Sequence, residues 1–254
     1  LAAFLVWGLT YGPCSAAGIV ARGSDSTINV VKALVKAFGE DGGAAIKVEG
    51  GGSSKGAAAC IAGDVNLAFM SRGPKSKETS AGLVAVPYAI DGVAIIVNPK
   101  NPTSDISKAS LKEIFIGKKT KWENGKPVMA LNRPATSGTR EVFQGKVLGK
   151  GVAFGPKVAV KHDKAAHMTV AKVVTAVAYT SAGALKEGEN LKVLTVDGVN
   201  PEPKTLRDGS YPIARTLHFG TKGEASGDIK AFLDFVKSGK GQAVIQQEGF
   251  VTLK

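Results

Sequence analysis

The sequence is poor in the residues that most metal centres, redox sites and nucleic-acid faces require. Its 254 residues include two cysteines, three histidines and two tryptophans, and aromatics make up 6%. With Cys14 and Cys60 as the only thiols, no disulfide framework organises the chain. Cys60 lies in the apolar stretch Ala57-Ala58-Ala59-Cys60-Ile61 and reads as a small buried thiol. His162, His167 and His218 have no metal-ligand spacing among themselves or with carboxylates, so they read as surface or structural residues, and neither metal nor cofactor is expected. No Gly-Lys-Ser/Thr follows the glycine run at 50–56. An ATPase therefore lacks its machinery, and no enzyme is expected. The uncharged apolar run from Ala2 to Tyr11 is shorter than the about 20 residues of a membrane span.

What the chain has in quantity is glycine, at 32 residues, and positive charge, at +12. Much of the glycine sits in loops ahead of helical patterns, where a backbone must approach a ligand closely. The charge suits an anionic partner, whether a small oxyanion, a nucleic acid or a membrane surface. The lysines scatter along the chain and do not gather on one helix or an aromatic-rich strand, so a solvated basic surface is a better account than nucleic-acid binding. Residues 1–17 read as a signal peptide truncated at its start. The apolar run passes through Gly12-Pro13-Cys14 to Ser15, Ala16 and Ala17, small residues that suit cleavage after Ala17, while Pro13 makes Cys14 a poor lipoprotein site.

Short β-type runs (Ile19 to Ala21, Ile46 to Glu49, Val65 to Phe69, Val93 to Val97, Val128 to Leu131, Val193 to Val196) alternate with helical patterns. Ile28, Val31, Leu34, Val35 and Phe38 share one helix face, as do Ile229, Phe232, Leu233 and Val236. Ser110 with Glu113 makes a capping box for a helix carrying Leu111, Ile114 and Phe115. This alternation predicts an α/β class with mostly parallel sheets. Gly92 to Val97 and Tyr211 to Phe219 are candidates for paired crossings between two lobes.

The segment Arg133-Pro134-Ala135-Thr136-Ser137-Gly138-Thr139-Arg140 precedes a helical pattern and offers hydroxyls, backbone amides and arginines at one helix start, an arrangement that cradles anions. Ser24-Asp25-Ser26-Thr27 ahead of Ile28, and Gly50 to Gly56 with Ser53 and Ser54, repeat the construction. Ser71-Arg72 ends a strand where ligands of open α/β sheets collect. These segments, with Ile114 to Lys118, Trp122, Tyr211 to Arg215 and the ending Gly241 to Val251, resemble the PstS-type periplasmic phosphate-binding protein of the ABC phosphate importer, in its compact branch.

The resemblance implies a type II periplasmic binding-protein fold, two α/β lobes joined by a two-strand hinge. Lobe one would take 18–94 plus 218–254, and lobe two 95–217. It implies capture of inorganic phosphate in the periplasm by a monomer, without nucleic acid, and delivery to the membrane permease subunits of an importer. Carried over by position, Ser26 and Thr27 match the first phosphate loop, and Ser53 or Ser54 the second. Arg133, Ser137, Gly138 and Thr139 match the Arg-x-x-x-Ser-Gly-Thr element, with Ser71 and Arg72 beside them. Sulfate, molybdate or a phosphonate remain as alternative ligands. Longer relatives carry an aspartate where this chain reads Ser71-Arg72, and Asp25 is unusual in the first loop. Because hydrogen phosphate has a proton to donate and sulfate has none, Asp25 or Ser71 is expected to be the acceptor.

Overall fold

The computed structural model describes residues 18–253, so the expected signal peptide lies outside the described residues. In chain order the elements begin β1 (Ile19–Gly23), α1 (Ile28–Glu40), β2 (Ile46–Glu49), α2 (Ser53–Ala62), β3 (Leu67–Met70) and α3 (Ser76–Ser80). A long strand β4 (Leu83–Val97) leads to β5 (Asp105–Ile106), α4 (Lys108–Phe115), β6 (Met129–Asn132) and α5 (Gly138–Phe143), which runs into a π-helical turn at Gln144–Leu148. Then come β7 (Val158–Ala159), α6 (Asp163–Lys172), β8 (Ala176–Ser181), β9 (Lys192–Val196), α7 (Pro203–Arg207), β10 (Ala214–Lys222), α8 (Gly227–Lys237) and α9 (Gly239–Gln247).

The strands follow the order β2-β1-β3-β10-β4-β8-β6-β7, with β9 pairing both β4 and β5. Two parallel cores, β2-β1-β3 on one side and β8-β6-β7 on the other, flank antiparallel pairs made by β4 and β10. The expectation of mostly parallel sheets thus holds for the flanks only. The two strands that travel between the halves run in opposite directions and cannot pair in parallel. Over Leu83 to Gly92, β4 pairs with β10; from Val93 to Val97 it pairs with β8. The apolar segment Gly92 to Val97 is therefore already inside the second half, and the chain crosses at Gly92/Val93 and at Ile213/Ala214, where Val93 N donates to Ile213 O at 3.0 Å. Val251 bridges Ile90 as a third extended segment beside the crossing.

Each half has its own apolar core. In the first, the buried face of α1 (Val30, Val31, Leu34, Phe38) meets Phe69, Phe219, Phe232 and Phe235. In the second, Val93, Ile95, Leu111, Phe115, Phe143 and Tyr179 pack together, with Phe143 and Tyr179 stacked at 4.3 Å. Each such fully buried side chain contributes about 1.5–3 kcal/mol by leaving water, so either half holds its loops on a rigid base. Cys60 is buried and free, and burial pushes its thiol pKa up. The cap of α4 is Ser107 and not Ser110: β5 ends at Ile106, the chain turns at once, and the Ser107 hydroxyl accepts from Ser110 N at 3.1 Å.

Candidate anion-binding site

Turns from both halves meet between the cores. In the first half, Ser24 N donates to Phe69 O at 2.9 Å, tying the β1–α1 turn to the end of β3. The turn then presents Ser26 and Thr27, both buried. The glycine loop before α2 is bound to the same turn: Gly52 N donates to Gly23 O at 2.8 Å, and Gly51 N to Asp25 Oδ1 at 2.8 Å. Gly52 has φ +102°, and a Cβ there would lie 2.5 Å from Thr136 O of the other half, so the close approach requires glycine twice over. Ser53, fully buried at the start of α2, accepts from Ser71 N at 3.0 Å, and the two hydroxyls are 3.3 Å apart.

In the second half, Asn132 and Arg133 leave β6 into the turn that begins α5. Arg133 N donates to Tyr179 Oη at 3.2 Å, and that hydroxyl donates to Asn132, so the stacked Phe143–Tyr179 pair fixes where the arginine emerges. Ser137 caps α5, accepting from Arg140 N at 3.3 Å. The amides of Gly138 and Thr139 come in the first turn, ahead of the helix's own hydrogen bonds. A Cβ on Gly138 would sit 2.4 Å from Ser53 Oγ and 2.7 Å from Ser71 Oγ, so this turn lies directly on the two first-half hydroxyls.

The halves are joined through side chains as well. Ser26 Oγ is 2.8 Å from Thr139 Oγ1 and 2.5 Å from Asp163 Oδ2, and Arg133 Nη1 is 2.5 Å from Asp163 Oδ1. Arg133 is 3% exposed, and its Nε has no hydrogen-bond partner. A cluster of hydroxyl, amide and guanidinium donors enclosed by two cores can surround a small anion on all sides, and exclusion of water strengthens each bond. Among the described residues no three His, Cys, Asp or Glu side chains are placed to hold a metal ion.

The PBP superfamily domain matches residues 10–240. The phosphate-binding protein PstS of Bacillus subtilis is 34% identical over 233 residues, covering 87% of this chain and 76% of that protein. This chain belongs to the PstS family of phosphate-binding proteins. A Clostridium perfringens phosphate ABC transporter substrate-binding protein, solved with bound phosphate, is 28% identical with a TM-score of 0.88, covering 93% of this chain and 100% of that one. A phosphate transport receptor from Vibrio cholerae, at 24% identity and TM-score 0.78, shares the fold.

Between the halves, Ser26, Ser53, Ser71, Arg133, Ser137, Gly138 and Thr139 come together, Thr27 is buried in the turn beside Ser26, and three sequence candidates stand apart from them. Asp25 braces the glycine loop through Gly51 N. Ser54 accepts from Arg72 Nη2 at 3.2 Å and donates its amide to Thr136 O. Arg72 is bound by two carboxylates, Glu78 at 2.7 Å and Glu141 at 2.9 Å, and so belongs to an ion-pair network on the flank.

Four residues beside these turns escaped sequence reasoning. Asp163, 5% exposed at the start of α6, looks in sequence like an ordinary acidic first turn. Arg215 Nη1 donates to Thr139 Oγ1 at 2.8 Å, while its Nε and Nη2 bond Asp91 at 3.0 and 2.6 Å. Asp91 had a signal: it is a charge inside the apolar run Tyr88 to Val97, and such a residue needs a buried partner. His167, read as surface or structural, is buried against Thr180, whose hydroxyl reaches Asp163 at 2.8 Å.

Proposed function

We propose that this protein captures inorganic phosphate between its lobes, outside the cytoplasm in the periplasm, and delivers it to the permease subunits of an ABC importer, acting as a monomeric binding protein without catalysis. The observation that carries the reading is the interlocking of donors from both halves: Ser26 with Thr139 and Asp163, and Gly138 against Ser53 and Ser71. In this reading Arg133 supplies the charged donor, Ser26, Ser53, Ser71 and Ser137 supply hydroxyls, and Gly138 with Thr139 supplies amides. Thr27, Ser54 and Arg72 hold these turns in place. Phosphate binding by the Bacillus subtilis and Clostridium perfringens relatives and membership of their family support the same ligand. The change of strand pairing at Gly92/Val93 and the crossing at Ile213/Ala214 support lobes close to 18–94 plus 218–254 and 95–217. Among the described residues no helix is long and apolar enough to cross a membrane, which fits a partner that docks on one.

Calorimetry of the mature protein against phosphate, sulfate, molybdate and a phosphonate tests the ligand, with phosphate expected to bind tightest. Arg133→Ala removes a charge-assisted donor that contributes about 1.5–3 kcal/mol. Phosphate binding should weaken about tenfold or more while circular dichroism stays unchanged, and unaltered affinity would remove Arg133 from the site.

A further inference from the structure

Beyond the cleft, the second lobe holds cations close together without acids to balance them. Arg140, the third residue of α5, sets its guanidinium 4.6 Å from the centroid of the Phe154 ring, and Lys157 Nζ lies 5.5 Å from the same centroid. The ring is fixed in turn, stacked on Phe143 at 6.3 Å. Two cations on one ring repel each other, and burial together with the Arg140 charge lowers the Lys157 pKa. Lys157 finds an acceptor in Gly155 O, to which it donates at 2.6 Å. Arg140 finds none: its Nε is buried without a hydrogen-bond partner, and among the described residues no carboxylate pairs with Arg140, Lys157 or Lys161. A guanidinium presents five N–H donors in a planar fork, the shape that receives an oxyanion.

These cations also lead inward. Lys157 and Lys161 stand on either side of β7 and line an open groove of about 550 Å³ with Asn132, Arg133 and Pro134, where β6 ends. Arg133 is the arginine of the cleft: its Nη1 is on Asp163, while its Nε, in a side chain almost wholly buried, has no partner. The groove therefore begins at lysines on the surface of the lobe and ends at the residue that serves the site between the lobes. A water takes about 30 Å³, so the groove has room for an oxyanion with several of its waters.

We propose that Arg140, Lys157 and Lys161 form a second, weak oxyanion site on the second lobe, an antechamber in which phosphate binds with part of its hydration shell before passing Arg133 into the cleft. The proposal rests on the phosphate reading above and adds to it a place where the anion first meets the protein. Lys157 and Lys161 are exposed and Arg140 is half-buried, so each contact is partly screened and affinity should be on the order of millimolar. The side chains offer N–H donors alone, and the antechamber should take sulfate as readily as phosphate. Its contribution is to the rate of capture, because cations along a groove raise the local concentration of an anion and speed its encounter with the site behind.

Two measurements test it. With the cleft first saturated by phosphate, the Phe154 amide resonance of the parent should move again between about 1 and 50 mM added phosphate or sulfate, and should stay still in Arg140→Gln/Lys157→Gln. In stopped flow at about 20 mM salt, where charges act over about 20 Å, the same double variant should associate with phosphate about three- to tenfold more slowly than the parent, with release within about twofold. At about 300 mM salt the difference should vanish. Lys32→Gln/Lys237→Gln, which removes two exposed charges from the first lobe, should associate within about twofold of the parent. Equal slowing in both double variants would reduce the effect to net charge and overturn the antechamber, as would a Phe154 amide that stays still once the cleft is full. Tight phosphate binding by the parent alongside either result leaves the phosphate reading standing, whereas a parent without tight binding in calorimetry ends that reading and this proposal together. Should Arg140→Gln not fold, Lys157→Gln/Lys161→Gln decides by the same measures.

Discussion

A carboxylate buried beside an arginine holds its place only while it stays charged, which makes the acid limb of stability a property of individual residues here. Asp163 and Glu78 are both buried, and both would be raised by desolvation were it not for Arg133 and Arg72, whose charge and hydrogen bonds lower them overall. The unfolded chain then binds protons more tightly than the folded one at these positions. Their contribution to stability is full above the unfolded carboxylate value of about 4 and drains away as pH falls through the lower folded values. In phosphate-free buffer the urea midpoint should hold nearly constant from about pH 8 to 6 and fall steeply below about pH 4.5. Glu78→Gln leaves Arg72 with Glu141 alone, at 2.9 Å. Breaking a buried pair from one side costs about 3–5 kcal/mol, so this variant should have a lower midpoint at pH 7 and a flatter acid limb. Parallel acid limbs in the two proteins would mean that Glu78 is not a source of the pH dependence.

At the scale of elements, what the sequence made legible was local. The turns carrying Ser26, Ser53 and Ser137 each pair hydroxyls with a helix start a few residues on, and that pattern is written in consecutive residues. Asp163 and Arg215 act through partners 137 and 76 residues away in Ser26 and Thr139, which no short window contains. Arg72 also has, in Glu141, a partner that no short window contains. Beside Ser71 it looks like an anion ligand, yet the fold brings it to Glu78 of α3 and Glu141 of α5. Those contacts have a role of their own. Glu141 belongs to the second lobe and is paired with Arg72 at 2.9 Å and Lys75 at 2.9 Å, both from the first. α5 thus carries the anion turn at its start and a tie to the opposite lobe one turn later. Glu141 is about one-third exposed, so solvent screening discounts the tie. Glu141→Gln should speed phosphate release about three- to tenfold in stopped-flow measurements with little change in association, since loss of contacts is felt mainly in dissociation. Raising salt should reproduce part of the effect in the parent and little of it in the variant.

For the whole molecule, the decisive feature is that its two cores are separate while its site is not. The lobes meet through the crossing at Gly92/Val93 and Ile213/Ala214, beside which Asp91 on β4 faces Arg215 on β10 in register. A few backbone torsions there can rotate one core against the other without disturbing either. Across the halves Ser54 N lies 3.2 Å from Thr136 O, Ser26 bonds Thr139, and Glu141 pairs with Arg72 and Lys75. Such contacts favour a closed form, and phosphate should add to its share by binding it better than an open one. Small-angle scattering should therefore show a radius of gyration that shrinks with phosphate toward the about 18 Å of a compact chain of this length. Removing the lobe-to-lobe tie shifts the starting point and leaves the end point alone. Glu141→Gln should be more expanded than the parent before phosphate is added and equal to it at saturation. Equal radii before addition would show that the flank ion pairs do not govern closure, and an unchanged radius on phosphate binding in both proteins would show that the site accepts its anion without lobe motion.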